Sequence, residues 1–374
     1  MYPIVYNGAD GSAGPGSYGN LGYGPLVDCI SCHVVEERNG PFWLELEYPV
    51  GGVIWDKLVP GRLLKAVPSD NANEQLFRID SVKPSISGRM LVSARHISYQ
   101  MDWAIVEPFS MSGYALDAME AITSHIKGAF PFTLTAPTGN QSSSYENFGP
   151  KAPRTVRECL MNKQGSMTDV YGGEYGYGDL GYTIVLSNNR GSTKTVGIRY
   201  GVNMTNLELE KALAETYNAV YGYYYDEQTG TFVSPGSIQS IGSYSGVGMT
   251  RTKMVDLTQE FSSVPTAAQL RTKALAYARA NGLTDPQVSV KVDFVPLWQT
   301  TEITNPVYAE HIKLCDVIPI VYEKYGIEVT AKVVKTDYDV LKERYRSIEV
   351  GTRKVTLPDF LKGVSAKTGV SVWT

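Results

Sequence analysis

Of 374 residues only four are cysteine and four histidine, and no run approaches the ~18 consecutive apolar residues that a membrane-crossing helix needs. A spanning helix is therefore not expected. Basic residues number 34 against 38 acidic, a net charge of -4, so the chain lacks the polybasic face that sequence-independent phosphate binding demands. The opening MYPIVYNGADGS has neither a basic start nor the apolar core of about 7 to 15 residues found in an export signal. Synthesis in the cytosol with reduced thiols is the expectation. Signatures of hydrolysis are missing too: there is no HExxH pair, no G-x-S-x-G elbow and no second Cys-x-x-Cys.

What is present is 43% hydrophobic against 19% charged residues, a balance that excludes disorder. The length accommodates about two or three domains. Tyrosine (25), glycine (36) and proline (20) are abundant, which favours strands, turns and interfaces over helix bundles.

Residues 7 to 25 are too rich in glycine for a regular element and read as a long surface loop, with tyrosines able to pin it to a neighbouring surface. From Leu26 short strand patterns follow one another. CISCHVVEE and PFWLELEYPV flank Asn39-Gly40, a signal for a hairpin with a type I′ turn. Closely spaced strands up to about residue 100 predict a small barrel or sandwich. Leu116, Met119, Ile122 and Ile126 recur at helical spacing within 113 to 127, and 151 to 165 is a second helix candidate. Strands return over 182 to 201. Residues 204 to 225 are helical by propensity, yet end in aromatics that favour strand. The clearest helix is 266 to 282, with Leu270, Ala274, Tyr277 and Ala278 on one face, and 287 to 297 alternates as a strand. A weak similarity between the C-terminal part and residues 55 to 97 points to two barrels of one design, the second interrupted by residues 236 to 304.

The candidate chemistry is thin. Cys29, Cys32 and His33 match the haem c pattern Cys-x-x-Cys-His, but that linkage belongs to exported proteins, and the run reads as a strand with the two thiols on opposite faces. With Cys159 and Cys315 isolated, zinc is not expected, and the thiols read as small buried hydrophobes. Gly176, Gly178 and Gly181 fit the dinucleotide pattern, but a strand rather than a helix follows, so they read as a turn-rich surface loop. His33, His96, His125 and His311 lie in separate segments; His96 is the one that alternation could place between aromatics. Glu36/Glu37 and Glu45/Glu47 are adjacent carboxylates, with Glu45 and Glu47 expected on one solvent face rather than across a cleft. No catalytic, cofactor-binding or metal residue is assigned, and no cofactor is expected.

The runs EERNGPFWLELEYP, NEQLFRIDSV with VSARHISYQMDW, GGEYGYG with NNRGSTKTVGIRYGVNMTNLELE, and IKLCDVIPIVYEKYGIEVTAKVVKTDYDVLKERYRSIEVG resemble, in order, those of the prophage tail proteins. That family is also called phage minor structural or tail-associated lysin proteins and is similar to baseplate hubs. The resemblance implies an α+β, mainly β protein with two tube-like β-barrels and two α/β insertion domains. Its implied parts are a first barrel over 1–100, an α/β domain over 101–184, a discontinuous second barrel over 185–235 and 305–360, an inserted α/β domain over 236–304, and an extension over 361–374. The resemblance further implies a homotrimeric ring in a virion tail tip. Its partners would be the tail tube or distal tail protein, the tape-measure protein and tip or receptor-binding proteins, with DNA only as transient cargo. The family usually has lysine where Val202 stands. The rival readings are a tail-associated peptidoglycan peptidase, which would require a Cys/His or metal constellation, and a carbohydrate-binding adhesin, which would require exposed stacking aromatics.

Overall fold

The structure, a computed structural model, describes residues 1–8, 18–137, 145–163, 165–195, 197–212, 216–242, 249–261, 263–281, 283–284, 287–294, 311–325 and 327–351. The chain is mainly β with few helices. It divides into two compact units, the first formed by Met1–Leu207, Lys291–Pro319 and Lys332–Val350, the second built mainly on Glu208–Val290.

In the first unit seven strands make one antiparallel path: β1 (Ile4–Tyr6), β2 (Gly24–Pro25), β3 (Ser31–Glu37), β4 (Phe42–Pro49), β5 (Leu63–Ala66), β6 (Gln75–Pro84) and β7 (Arg89–His96). Their spatial order is β2-β1-β5-β6-β7-β4-β3, and the C-terminal strand Ile327–Asp339 pairs with β3 through Lys335↔Glu37 to Asp339↔His33. No ring closure of this path is seen among the described residues.

Period-two alternation sets the register. Phe42, Leu44, Leu46 and Tyr48 of β4 face the core while Trp43, Glu45 and Glu47 face outward, and Met90, Val92, Ala94 and His96 of β7 join the buried side. Between β6 and β7 the register jumps from Ile79↔Ala94 to Ser81↔Ser93, leaving Asp80 as the extra residue of a bulge. Its carboxylate accepts two hydrogen bonds from Arg95, at 2.6 and 3.0 Å.

The expected hairpin at Asn39-Gly40 is present, but its turn is not type I′. Only Asn39 is left-handed (φ 54°), Gly40 is not, and the Gly40 N–H donates to the Glu37 carbonyl at 3.1 Å. The reason lies in Asn39's side chain, which is held by a neighbouring strand described below.

Behind the sheet, α1 (Ala115–Ser124), β8 (Thr133–Thr135), α2 (Val156–Leu160), β9 (Glu174–Gly178) and β10 (Thr183–Ser187) form the α/β part of the same unit. β8 runs parallel and β9 antiparallel to β10. Ala118, Met119 and Ile122 of α1 share one core with Ile97, Met101, Leu160 and Tyr175. The second helix candidate shrinks to the five residues of α2. Thr155 caps it, accepting from the Glu158 N–H while Glu158 accepts from the Thr155 N–H, and the chain is already extended at Met161.

In the glycine-rich N-terminal segment residues 9 to 17 lie outside the described ones; residues 19 to 23 are exposed, and Tyr18 is the tyrosine that anchors the described part. Tyr18 is buried, edge-on to Tyr6 at 5.3 Å and stacked on Tyr182 at 6.5 Å, and the Tyr6 hydroxyl donates to the Tyr18 carbonyl.

In the second unit, β11 (Ala219–Asp226) is flanked by β12 (Thr231–Val233) and β13 (Gln239–Ser240), both antiparallel, and by β14 (Thr252–Asp256), which is parallel. Helix α3 (Ala267–Asn281) covers one face with Leu270, Ala274 and Ala278. The ambiguous stretch 204 to 225 is strand over Met204–Ala212 and again in β11, where the β-branched Val220 and the aromatic Tyr224 pack into the core.

Candidate functional site

The residues singled out in the sequence do not converge on one centre. Cys29 precedes β3 instead of lying within it: its N–H closes a turn on the Leu26 carbonyl at 3.0 Å, and its thiol donates to the Ser31 carbonyl at 3.2 Å. The opposite-face reading of the two thiols therefore fails, because alternation holds only inside a strand. Burial, and after it the neighbouring Cys29 thiol, pushes the Cys32 thiol up. Cys32 points inward, whereas His33, next along β3, is on the partly exposed side. There His33 lies 3.6 Å from Glu45 and edge-on to Trp43, with its Nδ1 at 2.8 Å from Arg346. The two halves of the haem pattern thus point to opposite sides of the sheet. Burial also raises Cys159 to about 11 and Cys315 to about 12. Among the described residues no group of three His, Cys, Asp or Glu side chains could hold a metal ion.

The three glycines of the dinucleotide pattern are not a surface loop. Gly176 and Gly178 belong to β9, and Gly178 pairs with Thr183 of β10. The turn between the strands is left-handed at three successive residues: Asp179 (φ 47°), Leu180 (φ 61°) and Gly181 (φ 100°). Gly181 is buried against the ring of His96.

His96 ends β7 within an aromatic nest. It stacks on Phe42 at 4.2 Å and 17°, with Tyr177 at 4.7 Å and Phe77 at 5.6 Å. The Ser98 N–H donates to Nδ1, so the proton sits on Nε2, which donates to Gln75 Oε1 at 3.0 Å; Gln75 in turn donates to the Tyr177 carbonyl. Burial, then the Arg157 and Arg190 charges, holds this imidazole well below its usual pKa. It is neutral, fully engaged and sealed from solvent, which suits packing and not proton transfer.

The carboxylates are likewise paired. Glu47 binds Arg89 at 3.1 Å, and Glu37 binds Lys335 at 2.9 Å. Glu36, adjacent to Glu37 but facing inward, accepts from Arg190 at 2.5 Å. Of the remaining histidines, His125 stacks on Phe109 at 4.7 Å and His311 is 2.5 Å from Asp70.

What the sequence reading missed is a buried polar joint between the strands of the first sheet and the α/β part. Asn39 donates to the Gly173 carbonyl at 2.8 Å and accepts from the Tyr175 N–H at 2.9 Å, so the β3-β4 turn is clamped onto β9. Between those two anchor points Glu174 is buried, accepting from Lys332 at 2.5 Å and from the Arg190 N–H at 2.8 Å, with Arg38 at 3.5 Å. Arg190 reaches from there to Glu36 and to the Tyr175 carbonyl at 3.1 Å. These partners lie up to 158 residues apart in sequence, so no local motif reports them. The joint fixes the α/β part on the sheet. It offers no nucleophile beside a free base.

Comparison with known proteins shows what this scaffold is similar to. Residues 191–361 match the family model described as Prophage endopeptidase tail. That part of the chain is similar to the prophage tail family. Across the whole chain the fold is similar to that of prophage tail protein gp18 from Listeria monocytogenes EGD-e, with TM-score 0.58, 13% identity, and coverage of 99% of this chain and 100% of the other. A tail protein from Neisseria meningitidis MC58 gives TM-score 0.58 at 11% identity over 96% and 98% of the two chains. The prophage MuSo2 43 kDa tail protein from Shewanella oneidensis gives 0.55 at 12% identity over 86% and 93%. No curated protein matches the chain. The prophage tail fold thus extends to the residues before 191, where the family model does not reach.

Proposed function

We propose that this chain is a structural hub protein of a phage or phage-like tail tip or baseplate, acting as a homotrimer within the virion. The observation that carries the reading is the full-length match in fold to prophage tail proteins, end to end on both chains. The joint of Glu36, Glu174, Arg190 and Lys332 supports it, because a part that transmits load between tail tube and tip needs its sub-structures held rigidly. In this reading the first unit contributes one tube-like barrel over 1–100 and an α/β domain over 101–184. Residues 185–235 and 305–360 contribute the second barrel, and 236–304 its inserted domain. Two barrels per chain and three chains give a pseudo-sixfold ring that joins the tail tube or distal tail protein to a threefold tip. The ring lets DNA or the tape-measure protein through, and the net charge of -4 keeps passing phosphate from sticking. Light scattering of the purified chain, and symmetry of the isolated tip by electron microscopy, test this. A trimer and threefold order are expected; a stable monomer at high concentration with a dimeric or sixfold tip overturns it.

A second reading, a tail-associated peptidoglycan peptidase, rests on the family's description as an endopeptidase. Against it stand the sealed, neutral His96 and the burial-raised thiols of Cys32, Cys159 and Cys315. Release of soluble fragments from peptidoglycan above a heat-treated control, with and without added zinc, would favour the peptidase.

A further inference from the structure

Beyond β3 the sheet continues into β15 (Ile327–Asp339) and then β16 (Arg344–Gly351), both in the first unit over residues 332–350. On their outward face the register sets His33 opposite Glu45 of β4 on one side and opposite Asp339 of β15 on the other, with Asp337 one step along β15 on the same face. Arg346 of β16 passes over β15 to reach this ring. Its Nη1 donates to His33 Nδ1 at 2.8 Å, so that nitrogen carries no proton and the imidazole is held in its neutral Nε2–H form. Nε2 lies 3.6 Å from Glu45 Oε2, and Trp43 stands edge-on to the ring.

A second acceptor stands beside the same guanidinium. Asp337 Oδ2 is 3.5 Å from Arg346 Nη1, while its other oxygen is buried with no hydrogen-bond partner among the described residues. The other carboxylates of the patch are engaged: Asp339 pairs with Lys342 at 3.0 Å, and Glu45 accepts from Ser93 at 3.5 Å. Arginine can only donate, so a proton on Nδ1 ends its bond to His33 and sets two cations face to face. Burial lowers the His33 pKa most, Asp337 opposes that, Arg346 adds to it, and Glu45 and Asp339 oppose it, leaving the ring neutral at neutral pH and charged in acid. Burial raises the Asp337 carboxyl, and a charged His33 draws it back down, so the imidazolium keeps Asp337 ionised to receive Arg346. We propose that His33 and Arg346 form an acid-released clasp: while His33 is neutral Arg346 ties β16 to β3 across β15, and when His33 takes up a proton from solvent Arg346 passes to Asp337 and the tie is broken. The tie skips a strand and is made by side chains alone. Its release leaves the backbone ladder in place and loosens the β16 side of the sheet.

The test uses the full chain with carbon-13 in histidine and arginine side chains, titrated by NMR from about pH 8 to about pH 5, with assignments from His33→Gln and Arg346→Met. The Arg346 guanidinium signal is expected to shift along the His33 curve with the same midpoint. Arg346→Met should move that midpoint up and Asp337→Asn should move it down, with circular dichroism unchanged. Amide protection over 340–350, corrected for the intrinsic exchange rate, should fall as His33 charges in the parent. It should stay level in His33→Gln, whose side-chain oxygen accepts from Arg346 at every pH. An Arg346 signal indifferent to His33, a midpoint unmoved by Arg346→Met, or an equal loss of protection in His33→Gln overturns the proposal.

Discussion

Gly181 lies under the imidazole of His96 so closely that a Cβ at this position would come within 2.6 Å of Nε2. The residue also holds φ 100°, so two independent reasons demand glycine. Gly181→Ala should lower unfolding free energy by about 1–3 kcal/mol, read as a shifted urea midpoint. A midpoint within error of the parent would show that the turn tolerates a side chain.

His96 also sets an acid limit. Its folded pKa lies well below its unfolded one, so the unfolded chain takes up the extra proton first. Stability should therefore be complete above about pH 6.5 and fall as pH drops below that value. His96→Gln should be less stable at neutral pH yet flatter between pH 5 and 7 when Tm is followed, since it has no imidazole to protonate. A parallel slope in the variant would assign the pH dependence to other groups.

At the joint, Lys332→Met leaves the buried Glu174 without its nearest charge partner. A loss of roughly 3–5 kcal/mol is expected, with partial recovery in the double variant Lys332→Met with Glu174→Gln. Additive single effects in that cycle would mean the two side chains do not act on each other.

Asn39 separates backbone from side-chain effects. Asn39→Gly keeps the left-handed turn and loses the two hydrogen bonds to Gly173 and Tyr175, whereas Asn39→Ala loses both and adds strain. Alanine should cost more than glycine by about 1 kcal/mol in chemical denaturation, the reverse of the order seen in an exposed helix.

The folded chain should hide its thiols. Cys29, Cys32, Cys159 and Cys315 are free and buried, so reaction with a thiol reagent near neutral pH should be slow until denaturant is added, when all four react. Fast labelling of one thiol in the native state would contradict the burial described for it.

Local pattern carried much of this fold. Alternation in FWLELEYP located both the strand and its buried face, and the spacing of Leu270, Ala274 and Ala278 located the helix that covers the second sheet. It failed where a distant partner decides. The turn at Asn39 takes its shape from Gly173 and Tyr175, and the glycines 176 to 181 read as a loop because nothing nearby in sequence announces the His96 ring above them. The cluster around His33 was legible only in part. The expected hairpin put His33 and Glu45 on adjoining strands, but which side chains face them from β15 and β16 depends on the register of strands far along the chain.

The distribution of the joint along the chain also orders its synthesis. Glu36 and Glu174 leave the ribosome well before Lys332, so while the nascent chain ends short of that residue Glu174 lacks its nearest cation and keeps only Arg38 and the Arg190 N–H. The seam between the first sheet and its α/β part therefore completes its set of ion pairs only once the C-terminal strand has been made.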